Sequence, residues 1–218
     1  MHLSHIKIQC LEKPQDLINF QATWNELHKN CTAPSIYNGY DFIFESINVF
    51  FSHDVKLKIY ILSDINSNQI LAIYPLQRIT TLWYFLKINT YEYTALDEID
   101  KPYPLIRQGH LKSCWNAFLQ HLKQNVPDCH HLQLIEIPQT YPEIELLPKI
   151  CEEQDFIYRI NPDKQGPIIN LDGEWNDYWA QHKKMRKKQH AILNKFKDRI
   201  TFIIHNKDWE WCLEQYIK

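Results

Sequence analysis

The sequence predicts a mixed α/β fold on three observations. A long two-stranded hairpin comes early, helix and strand patterns alternate after it, and a strongly basic helical stretch lies near the C-terminal end. With 218 residues and 44% hydrophobic content, the chain has material for one large core or two small ones. Seven Trp, twelve Tyr and ten Phe favour a core of bulky rings or a groove lined by them.

His5 to Cys10 alternates, with Ile6, Ile8 and Cys10 on one side, as a short strand does. Pro14 opens a helix to about Asn30 whose apolar stripe is Leu17, Phe20, Trp24 and Leu27. After a turn through Pro34 and Gly39, a second helix runs from Tyr40 to Phe51 on Phe42, Ile43, Ile47, Phe50 and Phe51. Val55, Leu57, Ile59 and Ile61 alternate with Lys56, Lys58 and Tyr60, the pattern of a strand with one wet face. Asn66 to Asn68 turns the chain into a second strand, Gln69 to Ile79, in which Pro75 points to an edge or a bulge. Leu82 to Ile88 reads as a third strand, and Asn89 to Arg107 as a loop long enough to suspect function.

His110 to Val126 is an amphipathic helix on Leu111, Cys114, Trp115, Phe118, Leu119 and Leu122, followed by a buried strand from His131 to Ile137. A helix from Glu143 to Gln154 contains Pro148, a source of a kink. Phe156 to Ile160 and Pro167 to Leu171 read as short strands, and Asp172 or Gly173 as the cap of the next helix. That helix, Glu174 to Arg199, carries Trp175, Tyr178, Trp179, His182, Met185, Gln189, Ile192, Leu193 and Phe196 along one side, a stripe expected to be buried. A strand from Arg199 to His205 and an amphipathic helix from Asn206 follow. Because the sequence stops inside that helix, it reads as the front part of a longer architecture, divided into residues 1–173 and a following unit, 174–218.

The charge is uneven. Residues 183–199 hold eight basic side chains and one acid (+7), residues 1–182 hold 14 and 22 (−8), and residues 200–218 hold 2 and 3 (−1), which recovers the formal −2. Five cations crowd into Lys183 to Lys188, where repulsion works against a helix unless acids of the fold or an anionic ligand offset it. No stretch approaches the roughly 18 apolar residues of a membrane span, and no secretory leader is legible. The six cysteines, without C-x-x-C spacing, read as reduced core thiols of a cytoplasmic protein. Cys129 and His131 alone make no metal site, and no Ser-His-Asp or cysteine-nucleophile signature is present. Only four glycines occur, none close enough to another for a phosphate-cradling loop.

The segments WNELHKN, PSIYNGYDFIFESI, KLKIYILSDINSNQILAIYPL, HLQLIEIP and PIINLDGEWNDYWAQHKKMRKKQHAILNKF resemble, in order, the FemAB/CelD-like branch of the GNAT (N-acetyltransferase) superfamily. Arg186 matches an arginine set among lysines in that family, while His182 stands where a small hydroxyl residue is common. The resemblance implies a largely antiparallel sheet flanked by helices, and a further GNAT-like half that this sequence lacks. It also implies acyl transfer from acetyl-CoA or another acyl-CoA to an amine, without a metal. A pyrophosphate loop of the R-x-x-G-x-G/A kind is absent. The residues expected at the substrate are Arg186, Lys183 and Lys187, holding anionic groups with fixed or mobile cationic donors, and Tyr93 and Asp97 from the long loop. No catalytic base is assignable from sequence. The alternatives are a non-catalytic nucleic-acid (tRNA) module, built on the basic helix with Trp175 and Trp179, and a scaffold.

Overall fold

A computed structural model of the chain describes residues 5–50, 56–94, 103–162 and 174–196. It is a mixed α/β protein built on a largely antiparallel six-stranded sheet flanked by helices. Two compact units divide it, Met1–Asp163 and Lys164–Lys218.

In the first unit the strands are β1 (Ile6–Leu11), β2 (Lys56–Asp64), β3 (Ile70–Trp83), β4 (Leu86–Tyr93), β5 (Leu105–Ile106) and β6 (His131–Gln133). The order across the sheet is β1-β2-β3-β4-β6, with β5 also on β3, and only the β4–β6 pair is parallel. The β2–β3 hairpin is long because both strands are rich in aliphatic, β-branched and aromatic residues, and its turn is closed by Asp64. That carboxylate accepts the N–H groups of Asn66 (3.0 Å) and Ser67 (2.8 Å), while Asn68 takes the left-handed conformation asparagine tolerates. The expectation of one wet face fails for β2. Ile59, Tyr60, Ile61 and Leu62 are all buried, because helices cover both sides of the sheet.

One cover is α1 (Pro14–Leu17), a 3₁₀ turn (Ile18–Phe20), α2 (Gln21–Lys29) and α3 (Tyr40–Phe50), which seat Leu17, Trp24, Leu27, Tyr40, Ile43 and Ile47 on Leu57, Ile59, Ile61 and Ile73. Trp24 Nε1 donates to the Asn38 carbonyl at 2.9 Å, and the buried Asn38 amide donates to Ala33 O, so the connector between α2 and α3 is satisfied internally. The other cover is α4 (Leu111–Asn125), with α5 (Glu143–Glu153) against it. Trp115 and Phe118 pack on Tyr74, the Phe118 ring stacked at 4.1 Å and the Trp115 ring edge-on at 4.9 Å. Full burial of rings this size removes about 2–3 kcal/mol each from water. Pro148 lies inside α5, leaving the carbonyl of Ile144 without its helical N–H.

Pro75 is not at an edge. It sits in the central strand, opposite Ile59, and its carbonyl accepts the backbone N–H of Thr94 at 2.8 Å. In a strand, N–H and C=O of one residue point the same way, so the missing N–H of Pro75 faces the side where β4 ends at Tyr93 and β5 begins at Leu105. Proline is tolerated because the β4 ladder has ended at Tyr93, so the N–H it lacks would have met only Thr94, just past the strand end.

Other boundaries move as well. The segment expected as a strand, Leu82 to Ile88, contains a two-residue turn at Tyr84 and Phe85, and the expected loop supplies the end of β4 and all of β5. Tyr84 has φ +54, a conformation that costs a bulky L-residue roughly 1–2 kcal/mol, so no Gly or Asn announced the turn. The His131 strand stops at Gln133 and is half-exposed, and Phe156 to Ile160 is irregular with Ile157 fully exposed.

Within the second unit, the expected single long helix is broken into α6 (Trp175–Gln181) and α7 (Lys183–Phe196). His182 leaves helical geometry at φ −99, ψ 41, and its Nδ1 lies 2.8 Å from the Tyr178 carbonyl. Glu174 takes the cap position, displacing Asp172 and Gly173 from that role. Of the aromatic and aliphatic stripe expected to be buried, Trp175, Met185, Gln189, Ile192 and Leu193 are exposed and Tyr178, Trp179, His182 and Phe196 half-buried, with no residue of either helix fully buried. Trp175 stacks on both Tyr178 and Trp179, so the rings satisfy one another locally. The expected strands at 167–171 and 199–205, and the last helix, lie outside the described residues.

Candidate active site

Two features of the first unit bear on chemistry, and both lie where the regular sheet is interrupted. The first is the junction between β5 and α4. Arg107 is pinned there: its Nε donates to Ile70 O at 3.0 Å, and its two terminal nitrogens meet both carboxylate oxygens of Glu26, at 3.2 and 2.6 Å. The Arg107 N–H donates to Leu71 O and the Gln108 N–H to Asn30 O, so the chain enters α4 from a backbone held between β3 and α2. Gly109 then turns it with φ +81, and no atom lies within 4 Å of where a Cβ would stand.

Helix α4 therefore begins with no side-chain cap, His110 holding the cap position. The N–H groups of Leu111, Lys112 and Ser113 donate to no acceptor among the described residues, since the Ser113 hydroxyl itself donates to His110 O. Free N–H groups on a fifteen-residue helix, at the positive end of its dipole, attract anions. The sequence lacks the multi-glycine loop expected for a pyrophosphate, but one positive-φ glycine before an uncapped helix supplies the same kind of donor set. Its signal was a glycine between an apolar strand and an amphipathic helix.

The second feature is a buried polar cluster at the gap opposite Pro75. Glu143, the first residue of α5, is 0% exposed. Its Oε1 accepts hydrogen bonds from the Tyr103 hydroxyl and from Trp115 Nε1 (3.4 Å), while Oε2 has no partner among the described residues. No cation pairs with it among them. The buried hydroxyls of Tyr74 and Tyr93 likewise find no partner among the described residues. Burial, and then the Glu143 carboxylate, hold the Tyr103 and Tyr93 phenols well above their ordinary pKa, and burial does the same for Tyr74. All three are proton-bearing donors at any physiological pH, set around a carboxyl with one oxygen to spare. The Trp115 bond ties this cluster to the second turn of α4, so carboxyl and helix N-terminus are parts of one assembly.

Of the residues expected at a substrate, Tyr93 is in this cluster, at the end of β4 and 1% exposed. Asp97 lies outside the described residues. Lys183, Arg186 and Lys187 are on α7 in the other unit, all exposed and in no ion pair among the described residues. Sequence reasoning missed Glu143, Tyr103 and Tyr74. Nothing local marks Glu143, because its partners come from positions 103 and 115.

No protein-family model matches the sequence, and no curated protein matches it. Among solved structures the chain is similar to a possible acetyltransferase from Clostridium difficile 630, at 8% identity and a TM-score of 0.42, over 77% of this chain and 100% of that one. It is similar to a GNAT family acetyltransferase of Staphylococcus aureus, at 11% identity and a TM-score of 0.38, over 76% of this chain and 99% of that one. Glucosamine-6-phosphate N-acetyltransferase from Arabidopsis thaliana aligns at 13% identity and a TM-score of 0.36, over 77% and 99%.

Proposed function

We propose that this chain is an N-acyltransferase, or the N-terminal half of one of the FemAB/CelD-like kind, moving an acyl group from a CoA thioester to an amine. The observation that carries the reading is the uncapped first turn of α4 behind Gly109, because a thioester donor of this class is anchored by its phosphates and needs such a donor set. The N–H groups of Leu111, Lys112 and Ser113 hold the diphosphate. Attack of the amine nitrogen on the thioester carbonyl forms the C–N bond, and collapse breaks C–S. Glu143 Oε2 takes the proton the amine sheds and passes it to the departing thiolate, so that CoA leaves as the thiol and the carboxylate is regenerated, with Tyr93 and Tyr103 beside it as fixed phenols. Arg186, Lys183 and Lys187 on α7 are proposed to hold anionic groups of a substrate, a role supported by their exposure and by the lack of an ion pair to them among the described residues.

Calorimetric titration with CoA and acetyl-CoA, paired with thiol release in the presence of a panel of primary amines, tests this. Gly109→Val puts a β-branched side chain into a left-handed backbone beside the donor set and is expected to weaken CoA binding by about tenfold or more. Glu143→Gln keeps the volume and is expected to leave CoA affinity intact while lowering turnover by about a hundredfold. Absence of CoA binding at millimolar concentration sinks the assignment, and full turnover in Glu143→Gln removes that residue from the mechanism.

A further inference from the structure

The β3–β4 hairpin runs past both its neighbours. β2 pairs with β3 only as far as Arg78, and β6 pairs with β4 only from Thr90 onward. Among the described residues, 79–88 therefore form a ribbon with no third strand on either side, extending about 15 Å at the usual strand rise. Its tip is apolar and exposed: Leu82 70%, Trp83 63%, Tyr84 81%, Phe85 86% and Leu86 48%. Behind the tip comes a polar collar of Thr80, Thr81, Lys87 and Asn89, where the Thr80 hydroxyl bonds Asn89 Oδ1 at 2.8 Å and Lys87 is exposed. Between Ile79 and Thr90 the one charge is Lys87, and there is no acid.

Two facts argue that the rings are there for their own sake. A two-residue hairpin turn with positive φ is most cheaply made with Gly or Asn, yet Tyr84 occupies it at φ +54. Trp83 and Tyr84 also touch edge-on, with centroids 5.4 Å apart, and no element among the described residues covers them.

We propose that this ribbon docks the protein on a lipid bilayer, with Leu82 to Leu86 entering the interfacial zone and the Thr80, Thr81, Lys87 and Asn89 collar at headgroup level. Trp and Tyr are the side chains that partition there, with an apolar body and a polar tip. Size favours lipid over a protein partner or a second copy. Five side chains at these exposures offer on the order of 600 Å², below the roughly 800 Å² per partner that a stable protein complex buries, whereas interfacial insertion gains from any apolar area. Because residues 1–182 are net acidic by eight charges, attachment is driven by the apolar tip rather than by charge, and zwitterionic lipid suffices.

Co-sedimentation of the full chain with phosphatidylcholine vesicles, and with vesicles containing phosphatidylglycerol, at about 50 and 500 mM salt, tests this. The expected result is binding to both, little changed by salt, and reduced at least tenfold by Trp83→Ser with Phe85→Ser. Tyr84→Gly should lose binding several-fold without lowering the melting temperature, which separates ring loss from misfolding. Equal binding by the double variant overturns the proposal, as does failure to bind either vesicle. Binding confined to anionic vesicles and abolished by salt would transfer the contact to the cations of α7. Self-association in lipid-free solution that the double variant abolishes would mark the tip as a contact between copies, and overturn it too.

Discussion

Glu143 separates structure from chemistry. Replacing it by alanine leaves the Tyr103 hydroxyl and Trp115 Nε1 without their acceptor in a dry core, so Glu143→Ala should cost about 2–4 kcal/mol in urea unfolding. Glutamine keeps an acceptor oxygen there and should cost much less. Nothing in the sequence distinguishes this carboxylate from Glu145, which shares the first turn of α5 and the ordinary preference of acids for a helix N-terminus. Trp24, Trp115 and Phe118 were legible as core because each repeats with neighbours at helical spacing, a property of their own segment. Burial of a polar group instead depends on what arrives from elsewhere in the chain. Burial also pushes the thiols of Cys10 and Cys129 up to about 11 and that of Cys114 to about 12, which keeps the nucleophilic thiolate scarce at neutral pH.

Among the elements, the long strands and α4 followed from apolar pattern alone, while the punctuation between them did not. Proline in a strand signals an edge or a bulge, but Pro75 occupies a place in a central strand where one neighbour stops and another starts. Pro75→Ala restores an N–H that faces Thr94, whose own N–H already donates to the Pro75 carbonyl, and should leave stability within about 1 kcal/mol of the parent. Urea unfolding checks it; a loss above about 2 kcal/mol would show that the added N–H finds no acceptor. The break at His182 escaped notice for a related reason: a three- and four-residue apolar rhythm continues through Trp179, His182 and Met185 although the backbone does not. The exposed stripe of α6 and α7 likewise shows that periodicity specifies a face, not what covers it.

At the scale of the molecule, charged side chains among the described residues tie the layers together. Arg107 reaches Glu26 in α2, and Arg78 on β3 meets Asp128, which also accepts the Tyr91 hydroxyl at 3.2 Å. The Arg107 bonds hold Glu26 below its usual value. Burial alone would raise Asp128, but the bonds from Tyr91 and Arg78 outweigh it and hold the group low. A carboxyl depressed in the folded state lends stability above its unfolded pKa and loses it as pH falls through the folded one. Melting temperature should therefore be level above about pH 5 and drop steadily toward pH 3. Glu26→Gln and Asp128→Asn should each flatten part of that drop, as thermal scans across pH would reveal. The layered architecture itself was readable in outline, since helices precede and follow the hairpin and must lie on its faces.

The seam opposite Pro75 has a consequence for how the protein tolerates change. Thr94 on one side and Leu105 on the other are anchored to β3 independently, so neither anchorage depends on the number of residues joining them. Lengthening or shortening the chain between them leaves both registers in place, which makes this stretch suited to splicing a foreign segment next to Tyr93 and Tyr103.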